Sequence, residues 1–412
     1  MKILFIQHKN FINGSGGTEK ICSFLANGLS DLGHTVEIAT NQNIEGRPIF
    51  PLNKEVLVTN IFDENISQIE LKETFNYNGS NPLKWIFYKI KKKSTKRENK
   101  RLIKQIGGND ELFTLNLHNR SKAWKSYIDS LHPDIIITMS ISSLLEITFR
   151  NEYQIPIVNS TNGRPDYDYS DILWHRSEKE MSLLKESYKK LSAIQVLFDN
   201  YKEFLPETFQ GKSITISNPV PQIEVKQIVN HLVEKERYKI INIASLAIDC
   251  KQQHIAINIF AKIAHKYPNW DLYFWGTGQD YNVLYNQIEE VGLRDRIFLK
   301  GFTANPLEEL ETSDIFIFPS KYEGFPLALT EGMSIGLPSI GFKTCSGVNE
   351  LIKHNENGFL ATTELEMMSN LEALMQDNTL RQTLGESAHL SMKKYDKKSV
   401  SQLWKTLIDS FM

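Results

Sequence analysis

Strand-length runs of Ile, Val, Leu and Phe alternate with amphipathic stretches through most of this chain, and the alternation starts afresh near residue 238. Continuous apolar runs suit strands buried on both faces, the habit of parallel sheets covered by helices. In the first half Ile3–Gln7, Thr35–Thr40, Asp134–Ser140, Ile155–Thr161, Ala193–Phe198 and Ser213–Ser217 read as strands. A helical stretch, Thr18–Leu32, joins the first two, and Gly33 supplies its stop. In the second half Tyr238–Leu246, Asp271–Gly276, Ile297–Gly301, Asp314–Ser320 and Leu337–Phe342 read as strands. Helical stretches at Gln252–Tyr267, Tyr281–Val291 and Pro306–Thr312 separate them. Asn218-Pro-Val-Pro221 and the polar segment Gln222–Arg237 break the pattern between the halves. The expected fold is α/β, with two Rossmann-like doubly wound domains facing across a cleft. The expected domains are 1–220 and 221–395, with a final helix at about 396–412 packing back on the first.

Composition removes several classes of function. The 412 residues suffice for two or three domains with substantial cores. A formal net charge of −2 argues against bulk nucleic-acid binding, and no nucleic-acid partner is expected. Cys22, Cys250 and Cys345 are scattered, without the spacing of a disulfide framework or a zinc site. No window carries the eighteen or more apolar residues of a membrane span. The apolar stretch after Met1 is too short for a signal peptide, so the expected location is cytoplasmic.

The most informative segment is Thr312–Gly336, where Glu323 and Glu331 stand eight positions apart. Its strand ends at Ser320, Lys321–Pro326 makes a turn, and Pro326 suits the first position of a helix. Glu323 therefore falls in a loop at the carboxyl end of a strand, where open α/β sheets bind ligands. Glu331 falls about 7 Å further along the helix axis, at ~1.5 Å per residue. Between them the free N–H groups of Leu327 and Ala328 form an anion seat at the helix opening. Two carboxylates around an anion seat suit a nucleotide sugar.

Other motifs support a ligand of that kind. Gly14-Ser-Gly16-Gly17-Thr18-Glu19 follows the first strand and opens the first helix, where glycines permit close backbone approach and the helix favours an anion. Lys251 follows the first strand of the second half and can neutralise a diphosphate as a mobile point charge. Gly276-Thr-Gly278 ends the next strand, either lining the pocket or making a turn. The ten histidines show no ligand spacing, so no bound metal is expected. His8, beside the first loop, reads as structural. Lys84–Lys104 is dense in Lys and Arg, with Trp85, Ile86, Phe87 and Tyr88 alongside. It reads as a solvated face or mobile loop, or as a contact for an anionic membrane surface.

These residues together resemble the retaining glycosyltransferases of family 4, which have the two-domain GT-B fold. The likeness spans nearly the whole chain. It rests on Gly16-Gly17-Thr18-Glu19 against the family's G-G-x-E, on Lys251, on Gly301-Phe302, and on Glu323-Gly324-Phe325-Pro326-x4-Glu331 against E-x7-E. Ser346–Glu350 and Asn357-Gly358 resemble the stretch that follows. The resemblance implies a nucleotide-sugar donor in the second domain and a saccharide or lipid-linked acceptor on the first. Glu331 would hold the ribose hydroxyls, while Lys251 and the Leu327 and Ala328 amides would hold the diphosphate. Glu323 with the Gly324–Phe325 backbone would meet the donor sugar, and Gly16, Gly17, Gly276 and Phe302 would line the substrate sites. Similar enzymes are metal-independent, need no further cofactor and retain anomeric configuration. A UDP-sugar is expected over a GDP-sugar, in bacterial-type polysaccharide, lipopolysaccharide or capsule biosynthesis, at the inner face of the plasma membrane if Lys84–Lys104 meets lipid.

Two positions depart from the family. Ser245 stands where an arginine is usual, and Asn159-Ser-Thr-Asn162 lacks a histidine common in relatives, so no catalytic base is assigned. The alternatives are a nucleotide-sugar epimerase or hydrolase of the same fold and a non-catalytic sugar-binding partner subunit. A dinucleotide oxidoreductase is disfavoured because Thr35–Thr40 runs into Asn41 and Gln42, not an acid.

Overall fold

The structure, a computed structural model, describes residues 1–411 apart from 76, 78, 174 and 175. Met412, the expected end of the last helix, lies outside the described residues. Internal contacts divide the chain into two units. The first comprises Met1–Thr161, Pro165–Gln195 and Phe204–Ile214; the second comprises Asn162–Arg164, Val196–Glu203 and Thr215–Met412.

The first unit is built on β1 (Lys2–Ile6), β2 (Thr35–Thr40), β3 (Leu57–Asn60), β4 (Ile135–Thr138), β5 (Ile157–Ser160), β6 (Ala193–Val196) and β7 (Lys212–Thr215). They form one sheet in the order β3-β2-β1-β4-β5-β6-β7. Pairing is parallel from β3 through β6, with Ile3 opposite both Val36 and Ile135. Strands β4, β5 and β6 are buried at every position; β4 is almost wholly apolar, while β5 and β6 also bury Asn159, Ser160 and Gln195. Trp124, Ile128, Leu144, Ile147, Leu184 and Tyr188 pack on them from the covering helices.

The second unit carries β8 (Tyr238–Ile243), β9 (Trp270–Trp275), β10 (Ile297–Gly301), β11 (Ile315–Phe318), β12 (Ser339–Phe342) and β13 (Gly358–Ala361). Their order is β10-β9-β8-β11-β12-β13, again parallel. Both sheets thus grow outward in two directions from a central pair, β1/β4 in one and β8/β11 in the other. Those pairs are the topological switch points, where the loops after the two central strands diverge and leave a crevice. Internal contacts place the Lys397–Asp409 helix in the second unit.

The structure differs from the sequence reading in places with physical causes. The basic run Lys84–Lys104 is neither a loop nor coil but lies within one helix, Pro82–Ile106, capped by Asn81 and ended by left-handed Gly107. It is followed directly by a second long helix, Asn109–Leu131. Pro326 is the N-cap of its helix and not the first helical residue; its backbone is extended, with ψ 95°. Strands β3 and β13 are not read from the sequence; β3, Leu-Val-Thr-Asn, has no buried position and so no apolar run to mark it, and β13 opens on Gly358.

Candidate active site

The loops after β8 and β11 meet at the switch point of the second sheet. Lys251 Nζ lies 2.6 Å from Glu323 Oε1, with the two side chains 21% and 10% exposed. Burial works against the ammonium charge, but Glu323 beside it outweighs this and holds Lys251 above its ordinary pKa. The lysine therefore remains a cation at neutral pH.

Each partner is held by its own backbone geometry. Lys251 ends a single helical turn, Ile248–Lys251, and Gln252 then takes a left-handed conformation, φ 51°, before Gln253–Ile263 begins. That uncommon φ for a non-glycine residue offsets the two helices and sets Lys251 at the junction. Asp280 Oδ2 accepts the Ile248 N–H at 2.8 Å and fixes the start of the turn. The Gln253 amide donates to the Ser245 carbonyl at 2.8 Å, tying down the loop after β8. The Ser245 side chain is exposed.

On the other side, the Lys321 N–H donates to the Cys250 carbonyl at 2.8 Å, and the Cys250 thiol to the Tyr322 carbonyl at 3.5 Å. Ser346 Oγ donates to the Glu323 carbonyl at 2.9 Å, and Tyr201 Oη to the Gly324 carbonyl at 3.2 Å. A Cβ on Gly324 would stand 1.8 Å from the Asn162 carbonyl oxygen, so only glycine fits there. Gly347 closes the opposite wall: its φ is +79°, and a Cβ would come 2.3 Å from the Gly324 oxygen. The Phe325 ring is buried, stacked on Phe198 at 5.5 Å and edge-on to Tyr395 at 5.3 Å. Only the Phe325 backbone is left for a ligand.

The Leu327–Ser334 helix starts next, and no side chain caps it. The Thr330 N–H makes the first intrahelical bond, to the Pro326 carbonyl, so Leu327 and Ala328 precede the ladder. Glu331 lies four residues after Leu327 and three after Ala328, hence on the same helix face, and it is buried. Lys251, Glu323, Gly324, the helix opening and Glu331 thus form one continuous stretch of the second unit.

The remaining expected residues sit elsewhere. Gly276 follows β9, where its φ of +142° and the Ala244 oxygen 1.9 Å from an added Cβ demand glycine. Its N–H bonds to Gly301. Phe302 follows β10, two strands away from β8, and is 62% exposed. Gly16 and Gly17 belong to the first unit. There Glu19 folds back against the loop: the Gln7 amide donates to it at 2.7 Å, the Gly16 N–H also bonds it, and burial raises its pKa. This is the glutamate half of a capping box, so Glu19 secures the glycines and is not itself displayed. A Cβ on Gly16 would lie 2.5 Å from Glu19 Oε2.

The first sheet has an equivalent pair at its own switch point. His8, after β1, and Ser143, after β4, are 2.9 Å apart and buried. Burial pushes the His8 pKa down to about 4, leaving the ring neutral at pH 7. Sequence reasoning missed Cys250, Cys345, Ser346 and Tyr201 as supports of the site. Only Ser346 lay in a quoted motif, and the buried Cys345 sits close enough to Glu323 for its carboxylate to raise the thiol pKa further. Among the described residues no cluster of three or more His, Cys, Asp or Glu is placed to hold a metal ion. No described helix is long and apolar enough to cross a membrane.

Known proteins resemble this chain in part of its sequence and in fold. Residues 225–390 match the family model described as glycosyl transferases group 1. The chain is 28% identical over 218 residues to an uncharacterized glycosyltransferase of Haemophilus influenzae, covering 52% of this chain and 60% of that protein. It is 28% identical over 200 residues to the poly(glycerol-phosphate) alpha-glucosyltransferase of Bacillus subtilis, covering 48% of this chain and 29% of that one. The chain spans at most 60% of the length of these first curated relatives. A TarM mutant of S. aureus, solved with fondaparinux, alpha-GlcNAc-glycerol and UDP, superposes with a TM-score of 0.72 at 16% identity, over 98% of this chain and 99% of that one. The likeness shows the fold: two Rossmann-like domains of the GT-B class.

Proposed function

We propose that this chain is a hexosyltransferase-type glycosyltransferase of family 4, moving a sugar from a nucleotide-sugar donor to a saccharide or lipid-linked acceptor with retention of configuration. The observation that carries the reading is the convergence of Lys251 and Glu323 at the β8/β11 switch point, beside an uncapped helix and the buried Glu331. The group 1 family match covers that same region, and the matched relatives with assigned activities include a glucosyltransferase.

In this reading Glu331 binds the ribose hydroxyls and the Leu327 and Ala328 N–H groups receive the diphosphate. Lys251 supplies the countercharge. Glu323 and the Gly324–Phe325 backbone hold the donor sugar. During transfer the bond from the anomeric carbon to the diphosphate breaks, a bond to the acceptor oxygen forms, and the acceptor's hydroxyl proton passes to the departing diphosphate. Charge grows on the departing diphosphate, and fixed N–H dipoles with a nearby ammonium stabilise it in a site that excludes water. The donor enters by competing with Glu323 for Lys251, which frees the Glu323 carboxylate for sugar hydroxyls. Ser245 leaves Lys251 as the one side-chain cation this reading assigns to the diphosphate, and no metal is required. Gly16, Gly17, Gly276 and Phe302 line the substrate sites, and a UDP-sugar is the donor. UDP is present in the complex of the similarly folded TarM. The setting is bacterial-type polysaccharide, lipopolysaccharide or capsule biosynthesis, in the cytoplasm and against the inner membrane face.

A thermal-shift screen with UDP, GDP, ADP and their sugar conjugates tests donor choice, since a specific ligand stabilises by about 2.7 kcal/mol at a hundred times its Kd. Product analysis with and without acceptor then tests transfer. Release of free or epimerised sugar without acceptor would identify the hydrolase or epimerase alternative. Activity is expected to persist in EDTA; its loss, restored by magnesium or manganese, would contradict the metal-free reading.

A further inference from the structure

The Pro82–Ile106 helix of the first unit has two faces that do different things. At 3.6 residues per turn, Tyr88, Thr95, Asn99, Leu102 and Ile106 share one side. That side meets the protein: Thr95 is buried, Asn99 exchanges hydrogen bonds with the Lys72 backbone at 2.8 and 3.1 Å, and Tyr88 stacks on Tyr77 at 5.4 Å. Leu83, Ile86, Phe87 and Ile90, spaced i, i+3, i+4 and i+7, lie on the opposite side. They are 77%, 48%, 62% and 65% exposed, an apolar stripe left largely open to solvent, with the Phe87 ring edge-on to its chain neighbour Tyr88 at 5.6 Å. A soluble helix normally turns such a stripe inward.

The stripe does not continue as apolar surface. Further along the same outward side stand Arg97, Arg101 and Lys104. The helix as a whole carries ten Lys or Arg and one acid, Glu98, which is paired with Lys72 at 2.7 Å. The first turns are therefore apolar and the later ones cationic, along a helix of about 37 Å at ~1.5 Å per residue. A nucleic acid would use the cations but leave the stripe in water. A second copy of the chain could cover the stripe but would set cation against cation. An anionic lipid surface satisfies both ends at once: acyl boundary for the stripe, headgroups for the basic turns.

We propose that this helix docks the protein peripherally on anionic membrane, with Leu83, Ile86, Phe87 and Ile90 seated in the interface. Docking does not rest on the sugar-transfer reading, because it is measured without nucleotide, and either can fail alone. The test is co-sedimentation with phosphatidylcholine vesicles with and without phosphatidylglycerol, at low and high salt. The protein is expected on the phosphatidylglycerol vesicles at low salt, with at least tenfold less bound at high salt. Arg97→Glu with Arg101→Glu and Lys104→Glu, all on the outward side, should abolish binding. Leu83→Ser with Phe87→Ser, at exposed positions that leave the fold intact, should also reduce it at least tenfold. Absence of binding at low salt overturns the proposal. Loss with the charge reversals but not with the serine pair overturns the seating of the stripe. A wild-type dimer that the serine pair converts to monomer would assign the stripe to a second copy instead.

Discussion

Lys251 and Glu323 are 72 residues apart in sequence and 2.6 Å apart in space, each delivered by the loop after one of the two central strands of the second sheet. The pair is largely shielded, so each charge depends on the other for solvation it has lost. Glu323→Ala and Lys251→Ala should each destabilise the second unit, while the double substitution should cost less than the sum. A double-mutant cycle by urea unfolding is expected to give a coupling on the order of 1–3 kcal/mol, between exposed and buried pairs. Strict additivity would mean that the pair is not formed in solution.

Lys251→Ala should also lower turnover, because stabilising the leaving diphosphate is a transition-state term. The expected loss is on the order of 10²–10³-fold in kcat, the scale for removing one preorganised charge-stabilising donor. An unchanged kcat with only a higher KM would confine Lys251 to ground-state binding.

Gly324→Ala should damage the site through backbone alone. The added Cβ would meet the Asn162 carbonyl at 1.8 Å, closer than the chain can tolerate, so one segment must move. Donor turnover should fall sharply while UDP affinity changes less, since Glu331 and the helix opening lie on the far side of Pro326. Wild-type turnover in this variant would show that the approach of Asn162 to Gly324 is not maintained.

Stability should fall on acidification below neutrality. Burial pushes His8 and His231 down to about 4, so the unfolded chain takes up protons near the ordinary histidine value while the folded chain resists. That stability is present above the unfolded pKa and is lost as pH falls toward 4. Buried Asp168, raised to about 6, acts with the opposite sign below that value, and Glu19, also raised by burial, joins it at lower pH, but between pH 7 and pH 5 the two histidines outweigh them. The net loss from about pH 7 to about pH 5 should be roughly 2 kcal/mol, read from urea midpoints. A flat profile would mean that both rings protonate in the folded state.

The fold was largely legible because parallel strands buried on both faces write themselves as apolar-rich runs; Ile3–Ile6 of β1, Ile135–Ile137 of β4 and Ile315–Phe318 of β11 stood out this way. The stretch between β3 and β4 did not. Its helix Pro82–Ile106 has a weak apolar pattern because one short stripe faces outward and its inner face is partly polar. The boundary signals were nevertheless present: Asn81 accepts from the Leu83 and Lys84 N–H groups, Pro82 starts the helix, and Gly107 ends it. Charge density drew attention away from those caps. At the site, Glu323, Glu331 and Lys251 were visible as motif residues. That the first and last form an ion pair was not, because contact between separate loops depends on the order of strands. Tyr201 and Cys345 carry no motif, and only the folded chain brings them to the Glu323 loop.

Calorimetric titration of UDP and GDP into the wild-type protein, Glu331→Ala and Glu323→Ala tests the central claim most directly. UDP should bind the wild type, and Glu331→Ala should lose about 1.5–3 kcal/mol of affinity, roughly 10- to 150-fold, with the fold intact. Glu323→Ala should keep UDP affinity or tighten it, since Lys251 is then free for the diphosphate and the sugar is absent. Unchanged UDP affinity in Glu331→Ala, or equal losses in both variants, would contradict the placement of a nucleotide sugar between these two carboxylates.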